Sequence, residues 1–282
     1  MSFKPASRSE AFIKLALTGS SGSGKTYSSL LIARGLVGEQ GKIALLDTEN
    51  QSASLYSDLT KFDTDVLGAP YSVDKYITAI LEAEKAKYDV LIIDSITHAW
   101  LQLLDDKSNM DARGGNSYTN WAKMTPIHQR FIDAVTQSKL HIISTIRSKQ
   151  DYVIEQNEKG KAVPKKIGLA PVQREGVEYE YTTVLDLDIS HLAVASKDRT
   201  GMFSTTMPFV ITLDTGVKIK EWLKNGLTAV SKLDEIKQAI NSVTSLSQLI
   251  DLTSIVGKMK LTDSELEVVK QDIQLKKSKI GA

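Results

Sequence analysis

The stretch "FIKLALTGSSGSGKTYSSLLIARGLV", residues 12–37, decides the fold of this chain. It opens with an apolar run typical of a buried strand, passes through a Gly/Ser-rich loop and continues as a helix from about Lys25 to Val37. Gly19 to Thr26 fit the spacing G-x-x-x-x-G-K-[ST] of a phosphate-binding loop between a strand and a helix. A Gly/Ser linker that matches by chance would not explain both flanking elements. The stretch therefore predicts a nucleoside triphosphate site.

The chemistry of that loop assigns its residues. Glycines reach backbone angles closed to other residues, so successive N–H groups can turn toward phosphate oxygens at the positive end of the helix. Lys25 is expected to reach the β- and γ-phosphates, and the Thr26 hydroxyl to bind Mg²⁺. The predicted nucleotide-binding residues are Gly19, Ser20, Ser21, Gly22, Ser23, Gly24, Lys25, Thr26 and Tyr27.

Two further apolar runs end in acids. "VLIID" ends at Asp94, which is expected to hold Mg²⁺ directly or through water when it is paired with a phosphate loop. "ALLDTENQ", residues 44–51, runs into Asp47 and Glu49. Those two acids are either solvated loop residues or groups that face the nucleotide at the carboxyl edge of a sheet.

Composition excludes several classes of protein. The 282 residues carry a net charge of +1, so binding to nucleic acid or membrane would need a local patch. The chain has no cysteine, which excludes disulfides, thiolate metal sites and a cysteine nucleophile. No apolar run is long enough to span a bilayer and the first residues lack a signal core, so we expect no membrane partner and a cytoplasmic setting. The histidines show no metal-ligand spacing; they are His98, His128, His141 and His191.

Short apolar runs alternate with helix-length amphipathic segments, which predicts an α/β fold with a mainly parallel sheet flanked by helices. The character changes after "KEWLKNG", where three stretches of helical period follow. We therefore expect an N-terminal tail over 1–10, an α/β core over 11–224 and a small helical C-terminal appendage over 225–282.

The order of these motifs resembles a known family. "LLDTEN", "VLIIDSITHAW", "HIISTIRSK" and "VASKDRTG" follow the phosphate loop as in the RecA-like P-loop ATPase core, over roughly residues 11–222. Within that class the chain most resembles the phage-type (Sak-type) RecA-like ATPases associated with single-strand annealing and recombination. The resemblance implies ATP and Mg²⁺ as cofactors, and the cytoplasm of a bacterium or a phage-infected host cell.

The resemblance also implies roles around the γ-phosphate. Glu49 occupies the place of the acid that activates the attacking water, since a carboxylate there can orient water and accept its proton. Asp47 lies closer to the strand and is expected to support Glu49 or cap the strand end. Thr145 and Arg147 occupy the places of a polar γ-phosphate sensor and a basic residue. The family often has Gln at the sensor place, so a simple polar strand end remains an alternative for Thr145.

"SKDRTG" carries Lys197 and Arg199 where RecA-like assemblies place cations that cross a subunit boundary to the neighbour's nucleotide. Residues i and i+2 of a strand face the same way, so both cations can address one phosphate group. This predicts self-assembly into a ring or a filament with the nucleotide at the subunit interface. The alternative is a pair of solvated cations on an edge strand.

Two loops are candidates for single-stranded DNA. Residues 109–121 combine Arg113 with the aromatic residues Tyr118 and Trp121, which can stack on bases. The second loop includes the basic window 159–174, and residues 151–168 also read as a hairpin with "NEKG" at its turn. Neighbouring acids favour the alternative of a solvated ribbon. The predicted DNA-binding residues are Arg113, Lys159, Lys161, Lys165, Lys166 and Arg174.

Two functions follow from these patterns. The first is a DNA-dependent ATPase that promotes annealing or strand exchange, with a single-strand-binding protein as a further expected partner. The second is a nucleotide-switched assembly or loading factor, with the helical appendage docking a protein partner. A small-molecule kinase is disfavoured, because no Arg-rich lid is evident and Glu49 with the Lys197–Arg199 pair would have no role.

Overall fold

The computed structural model describes residues 7–114, 116–156, 162–204, 206–224, 236–237, 239–240, 243, 245–256 and 263–280. The chain divides into two compact units, Ala11–Trp222 and Met1–Glu10 with Leu223–Ala282. The boundaries expected from composition, at 10/11 and 224/225, stay predictions.

The first unit alternates strands and helices. Its strands are β1 Lys14–Gly19, β2 Ile43–Asp47, β3 Asp63–Val66, β4 Val90–Asp94, β5 His141–Gln156, β6 Ala162–Pro171, β7 Thr183–Leu187, β8 Leu192–Asp198 and β9 Phe209–Val210. Its helices are α1 Lys25–Val37, α2 Val73–Lys85, α3 Thr97–Ala112, α4 Ser117–Gln137 and α5 Leu213–Lys224, the last reaching into the second unit. Short 3-10 helices span Arg8–Glu10, Ser52–Tyr56 and Val177–Glu180.

These strands form one sheet in the order β3-β2-β4-β5-β1-β7-β8-β9, with β6 paired to β5. The pairings from β3 across to β7 are parallel, and β8 and β9 add an antiparallel edge. Every residue of β1 and β4 is buried, as expected of strands with both faces covered. The predicted α/β fold with a mainly parallel sheet flanked by helices is confirmed.

A large core fills the face of the sheet that carries α2, α3 and α4. Tyr76 of α2 and Phe131 of α4 are almost fully buried there, and their ring centroids lie 5.4 Å apart. Helix α1 approaches α5 closely: a Cβ on Gly35 would lie 2.0 Å from the carbonyl oxygen of Leu213. Only glycine allows that approach, so α1, the helix that follows the phosphate loop, is held against α5 backbone to backbone.

Parallel strands bring their carboxyl ends to one edge of the sheet. β5 lies between β1 and β4, with Thr145 beside Leu17 and Arg147 beside Gly19. Asp47 and Asp94 are neighbours in register at the ends of β2 and β4. The sheet therefore collects the phosphate loop, both acidic strand ends and the middle of β5 at one edge.

β5 does not stop at that edge. It pairs antiparallel with β6 from Ser148↔Pro171 to Gln156↔Ala162, with a register shift after Asp151. This confirms the predicted hairpin pairing; the predicted turn "NEKG" lies outside the described residues. One strand therefore runs from the interior of the sheet into the basic hairpin.

The second unit is helical where it is described. It contains α6 Leu246–Val256 and α7 Asp263–Ile280. Ile236, Ile240, Val256 and Val269 form a small buried core of its own. Within the described ranges, no helix combines the length and apolarity that crossing a membrane would need.

Candidate active site

The phosphate loop connects β1 to α1 through two left-handed glycines. Gly22 and Gly24 have φ angles of 78° and 87°, which a side chain would disfavour. A Cβ on Gly24 would also lie 3.1 Å from the Nδ1 atom of His191, which donates to the Ser23 carbonyl at 3.1 Å. Lys25 Nζ donates to the Ser20 carbonyl at 2.8 Å and so folds back over the loop.

Asp94 joins the phosphate loop to two strands of the sheet. Its carboxylate accepts a hydrogen bond from the Thr26 hydroxyl at 2.5 Å and another, on its second oxygen, from the Thr145 hydroxyl. Burial raises the pKa of Asp94, and these two hydrogen bonds oppose the rise. A hydroxyl and a carboxylate side by side are hard oxygen ligands of the kind that Mg²⁺ prefers, so Thr26 and Asp94 fit such an ion.

Lys25 shares this environment. Burial lowers its pKa, with a further contribution from the Arg147 guanidinium, whereas the carboxylates of Asp94 and Glu49 raise it. The ammonium group is thus surrounded by two acids and one further cation. Such a cluster is arranged to meet a highly charged anion.

Glu49 follows β2 and is held from two directions. Arg147 Nε donates to its Oε1 atom at 2.9 Å, and Arg147 Nη2 forms an ion pair with the same atom at 2.8 Å. The carboxylate of Asp47, which is 1% exposed, accepts from the backbone N–H of Glu49 at 2.5 Å and from that of Ala53 at 2.9 Å. Asp47 therefore supports the turn that carries Glu49, as its position next to the strand predicts.

These groups open onto one cavity of about 710 Å³. Lys25, Thr26, Glu49, Asp94 and Arg147 all line it. This volume lies within the usual range for ligand sites, about 300–1,000 Å³. The five side chains named from separate motifs are thus brought to one place.

Of the other lining residues, Ser21, Gly22, Gly24 and Tyr27 belong to the predicted phosphate loop, whereas the sequence did not predict the rest of the wall. The rings of Tyr27 and Tyr56 meet edge to face with centroids 5.9 Å apart, and Leu55 beside them is 81% exposed. Val210, Ile211 and His191 complete this apolar side. The one sequence signal for it is the exposed pair "LY" shortly after Glu49, which reads as an ordinary loop without the fold.

Lys197 and Arg199 contact a segment of their own chain. Lys197 Nζ donates to the Glu178 carbonyl at 2.7 Å and lies 5.8 Å from the centroid of the Tyr179 ring. Arg199 Nη2 donates to the Tyr179 carbonyl at 2.8 Å. Burial and the nearby Arg199 lower the pKa of Lys197. Both cations thus reach one 3-10 turn, and neither belongs to the described residues that line the cavity within one chain.

The predicted DNA-binding residues are spread over several elements. Arg113 is exposed at the end of α3, and Arg174 is half-buried, donating to the Thr125 hydroxyl at 3.2 Å. The backbones of Lys165 and Lys166 pair with Val153 and Tyr152 in the hairpin, and Lys159 and Lys161 lie outside the described residues.

The two aromatic residues proposed for base stacking differ in their surroundings. Tyr118 is 82% exposed at the start of α4. Trp121 is half-buried and stacks on Trp100 of α3 with ring centroids 5.9 Å apart, and Lys107 Nζ lies 5.5 Å from the centroid of the Trp121 ring. The Trp121 ring thus already contacts Trp100 and Lys107, whereas the Tyr118 ring is open to solvent; base stacking by either residue stays a prediction.

Comparison with known proteins identifies the core. The AAA domain family (AAA_24) matches residues 11–211, which include every element of the cavity. The chain belongs to this family. Its P-loop ATPase character agrees with the phosphate loop, the buried Asp94 and the cavity between them.

Other comparisons are more distant. A KaiC-like protein from the hyperthermophilic archaeon Pyrococcus horikoshii OT3 has a similar crystal structure, with 17% sequence identity and a TM-score of 0.43. The similarity covers 72% of this chain and 89% of that chain. No curated protein matches the sequence.

Proposed function

We propose that this protein is a RecA-like, DNA-dependent ATPase of the phage type, which binds single-stranded DNA and promotes annealing or strand exchange. The observation that carries the ATPase part is the shared Asp94 carboxylate. It binds the hydroxyls of Thr26 and Thr145 at the edge of the cavity that also holds Lys25 and Glu49.

Each side chain has a distinct task in hydrolysis. Thr26 and Asp94 would hold Mg²⁺, which neutralises charge on the β- and γ-phosphates when bound. Lys25 neutralises the same phosphates from the loop side. Glu49 orients the attacking water and accepts its proton, and the ion pair with Arg147 holds that carboxylate in place. Thr145 fixes the second oxygen of Asp94.

In this proposal the adenine base of ATP binds against the apolar wall of the cavity. Tyr27, Tyr56 and Leu55 line the cavity, and aromatic rings stack readily on a purine. A nucleotide bound there would keep its phosphates over the loop that contains Gly24 and Lys25.

The DNA part of the proposal is supported by the continuity of β5. Thr145, which contacts Asp94, and Arg147, which lines the cavity, lie on the strand that continues into the hairpin with Lys165 and Lys166. DNA bound along a basic hairpin would act on the same strand that contacts Asp94 and Glu49. This proposal includes self-assembly, with Lys197 and Arg199 facing a neighbour's nucleotide. It also includes a single-strand-binding protein as a further partner.

The test is the rate of ATP hydrolysis with and without single-stranded DNA at a low and a high salt concentration. We expect strong stimulation that fades with salt, because contacts to phosphates release counterions. A rate that DNA leaves unchanged at both salt concentrations would remove DNA from the proposal while leaving the ATPase in place. Absence of Mg²⁺-dependent hydrolysis under every condition would overturn the ATPase itself.

A second candidate is a nucleotide-switched assembly or loading factor that acts on a protein. It is favoured by the helical unit after residue 223, which has a buried core of its own around Ile236 and Val269. In that case removal of residues 225–282 would leave basal ATP hydrolysis intact, and DNA would not change the rate.

A further inference from the structure

The first turn of α3 contacts both residues that hold Glu49 in place. The Thr97 hydroxyl oxygen accepts a hydrogen bond from the backbone N–H of Arg147 at 2.9 Å. The next residue, His98, has its Nδ1 atom 2.6 Å from the hydroxyl oxygen of Thr48. Arg147 binds the Glu49 carboxylate, and Thr48 is the residue directly before Glu49. One helical turn therefore braces the side chain and the backbone of the predicted base.

Thr48 is buried, with 2% of its surface exposed, and it forms hydrogen bonds to several groups. Its backbone N–H donates to the Asp94 carbonyl at 2.7 Å, and its hydroxyl oxygen accepts from the Ser95 N–H at 2.8 Å. The His98 ring nitrogen is closer to that hydroxyl, at 2.6 Å, than the Asp94 and Ser95 carbonyls at 3.1 Å and 3.3 Å. A threonine hydroxyl has a single proton, so the bond with His98 selects one rotamer of Thr48.

The His98 ring is itself fixed. It stacks on Tyr71 with centroids 4.7 Å apart and an interplanar angle of 21°. Burial lowers the pKa of His98, the Arg147 guanidinium lowers it further and Glu49 opposes them. The neutral ring keeps an acceptor nitrogen, which can accept a hydrogen bond from the Thr48 hydroxyl. His98 is not among the described residues that line the cavity, and its hydrogen bond toward the site is the one with Thr48.

We propose that His98 is a positioning residue for ATP hydrolysis: by holding the Thr48 hydroxyl it fixes the path of the chain into Glu49. This inference rests on the proposed function. Asp47 fixes the same turn through the Glu49 N–H, and Arg147 fixes the carboxylate. Loss of the His98 bond removes the third constraint and lets Glu49 move relative to its water. Small displacements of a reacting group carry a large cost in rate.

Two substitutions separate the hydrogen bond from the ring. His98→Phe keeps a flat ring against Tyr71 but cannot bind Thr48. His98→Asn keeps a polar atom near the place of Nδ1 and loses most of the ring. His128→Phe is the matched control, because His128 is a buried histidine on α4 whose Nε2 lies 3.3 Å from Oε1 of Gln173, a residue that does not line this cavity.

The measurements are kcat and KM for ATP with Mg²⁺, and the affinity for a fluorescent ATP analogue. We expect His98→Phe to lower kcat about tenfold with KM and analogue affinity within a factor of about three, His98→Asn to recover most of kcat, and His128→Phe to keep kcat. A Thr48→Val variant should lower kcat, and adding His98→Phe to it should cost little more.

The outcomes distinguish this inference from the function on which it rests. A wild-type protein that binds the analogue but never hydrolyses ATP overturns the proposed ATPase and the inference with it. An active wild type with a His98→Phe variant of equal kcat overturns the inference alone. The inference is also overturned if His98→Phe has a lower kcat, a higher KM and a lower thermal stability, and His98→Asn recovers none of them. That pattern belongs to a structural residue.

Discussion

Arg147 donates a hydrogen bond from Nε to the Oε1 atom of Glu49 at 2.9 Å, and its Nη2 atom forms an ion pair with the same oxygen at 2.8 Å. The two residues come from different strands, β5 and the end of β2, and both line the cavity. The carboxylate of Glu49 is therefore held at the cavity by a side chain from another strand.

Replacing Glu49 by Gln should remove turnover and leave binding. The amide keeps the size of the side chain but cannot accept a proton, so we expect kcat to fall by a factor of roughly 10²–10⁴. Affinity for an ATP analogue and assembly on DNA should stay close to wild type. The matched control is Glu82→Gln on the exposed face of α2, which should change neither. Normal hydrolysis by Glu49→Gln would mean that Glu49 is a solvated loop acid.

Lys197→Ala should abolish turnover while ATP affinity remains within a few-fold of wild type. Within one chain Lys197 contacts the Glu178 carbonyl, so its proposed role needs a neighbouring subunit. Mixing Lys197→Ala protein with Glu49→Gln protein tests this directly. A mixed interface pairs an intact Glu49 with an intact Lys197, so activity should return in the mixture although each variant alone is inactive. If the mixture is as inactive as each variant alone, Lys197 does not act on the nucleotide of a neighbouring subunit.

The elements predicted from the sequence are those with local signals. The strand–loop–helix around Gly19–Thr26 and the strand that ends at Asp94 combine apolar periodicity with a short motif, and both appear as expected. The supporting role of Asp47 also follows from its position, since a carboxylate at a strand end readily caps the next N–H groups.

The rest depends on contacts between distant segments. His191 reaches the Ser23 carbonyl across 168 residues of sequence, a contact set by the register of β1, β7 and β8. The i, i+2 spacing of Lys197 and Arg199 indicates a shared direction, but not the 3-10 turn at Glu178 and Tyr179 that both contact. Sequence spacing describes which way side chains face; only the fold decides what they face.

Thr145 has an alternative as a plain polar strand end, and substitution can separate the two roles. Its hydroxyl donates to Asp94, and that bond opposes the rise in the pKa of Asp94 caused by burial. Thr145→Val keeps the shape and removes the bond, so the pKa of Asp94 should rise further and Mg²⁺ should bind less well. We expect a several-fold higher Mg²⁺ concentration for half-maximal hydrolysis, with Thr145→Ser close to wild type. An unchanged Mg²⁺ dependence in Thr145→Val would favour the strand-end role.

The stability of the core should depend on the protonation of His141, at the amino end of β5. Its Nδ1 atom accepts the backbone N–H of Ile13 at 3.0 Å, and burial lowers its pKa from 6.5 to about 4, with Lys14 adding to the shift and Asp89 opposing it. Because the folded pKa lies below the unfolded value, the unfolded chain binds more protons between pH 4 and 6.5.

The free energy of unfolding should therefore fall as the pH drops through that window, by up to roughly 3 kcal/mol for a shift of this size. Urea unfolding followed by tryptophan fluorescence at pH 7, 6, 5 and about 4.5 measures it. His141→Asn keeps an acceptor for Ile13 but does not titrate, so its free energy of unfolding should fall less steeply over the same range. Parallel pH curves for wild type and His141→Asn would show that other groups carry the acid sensitivity of the core.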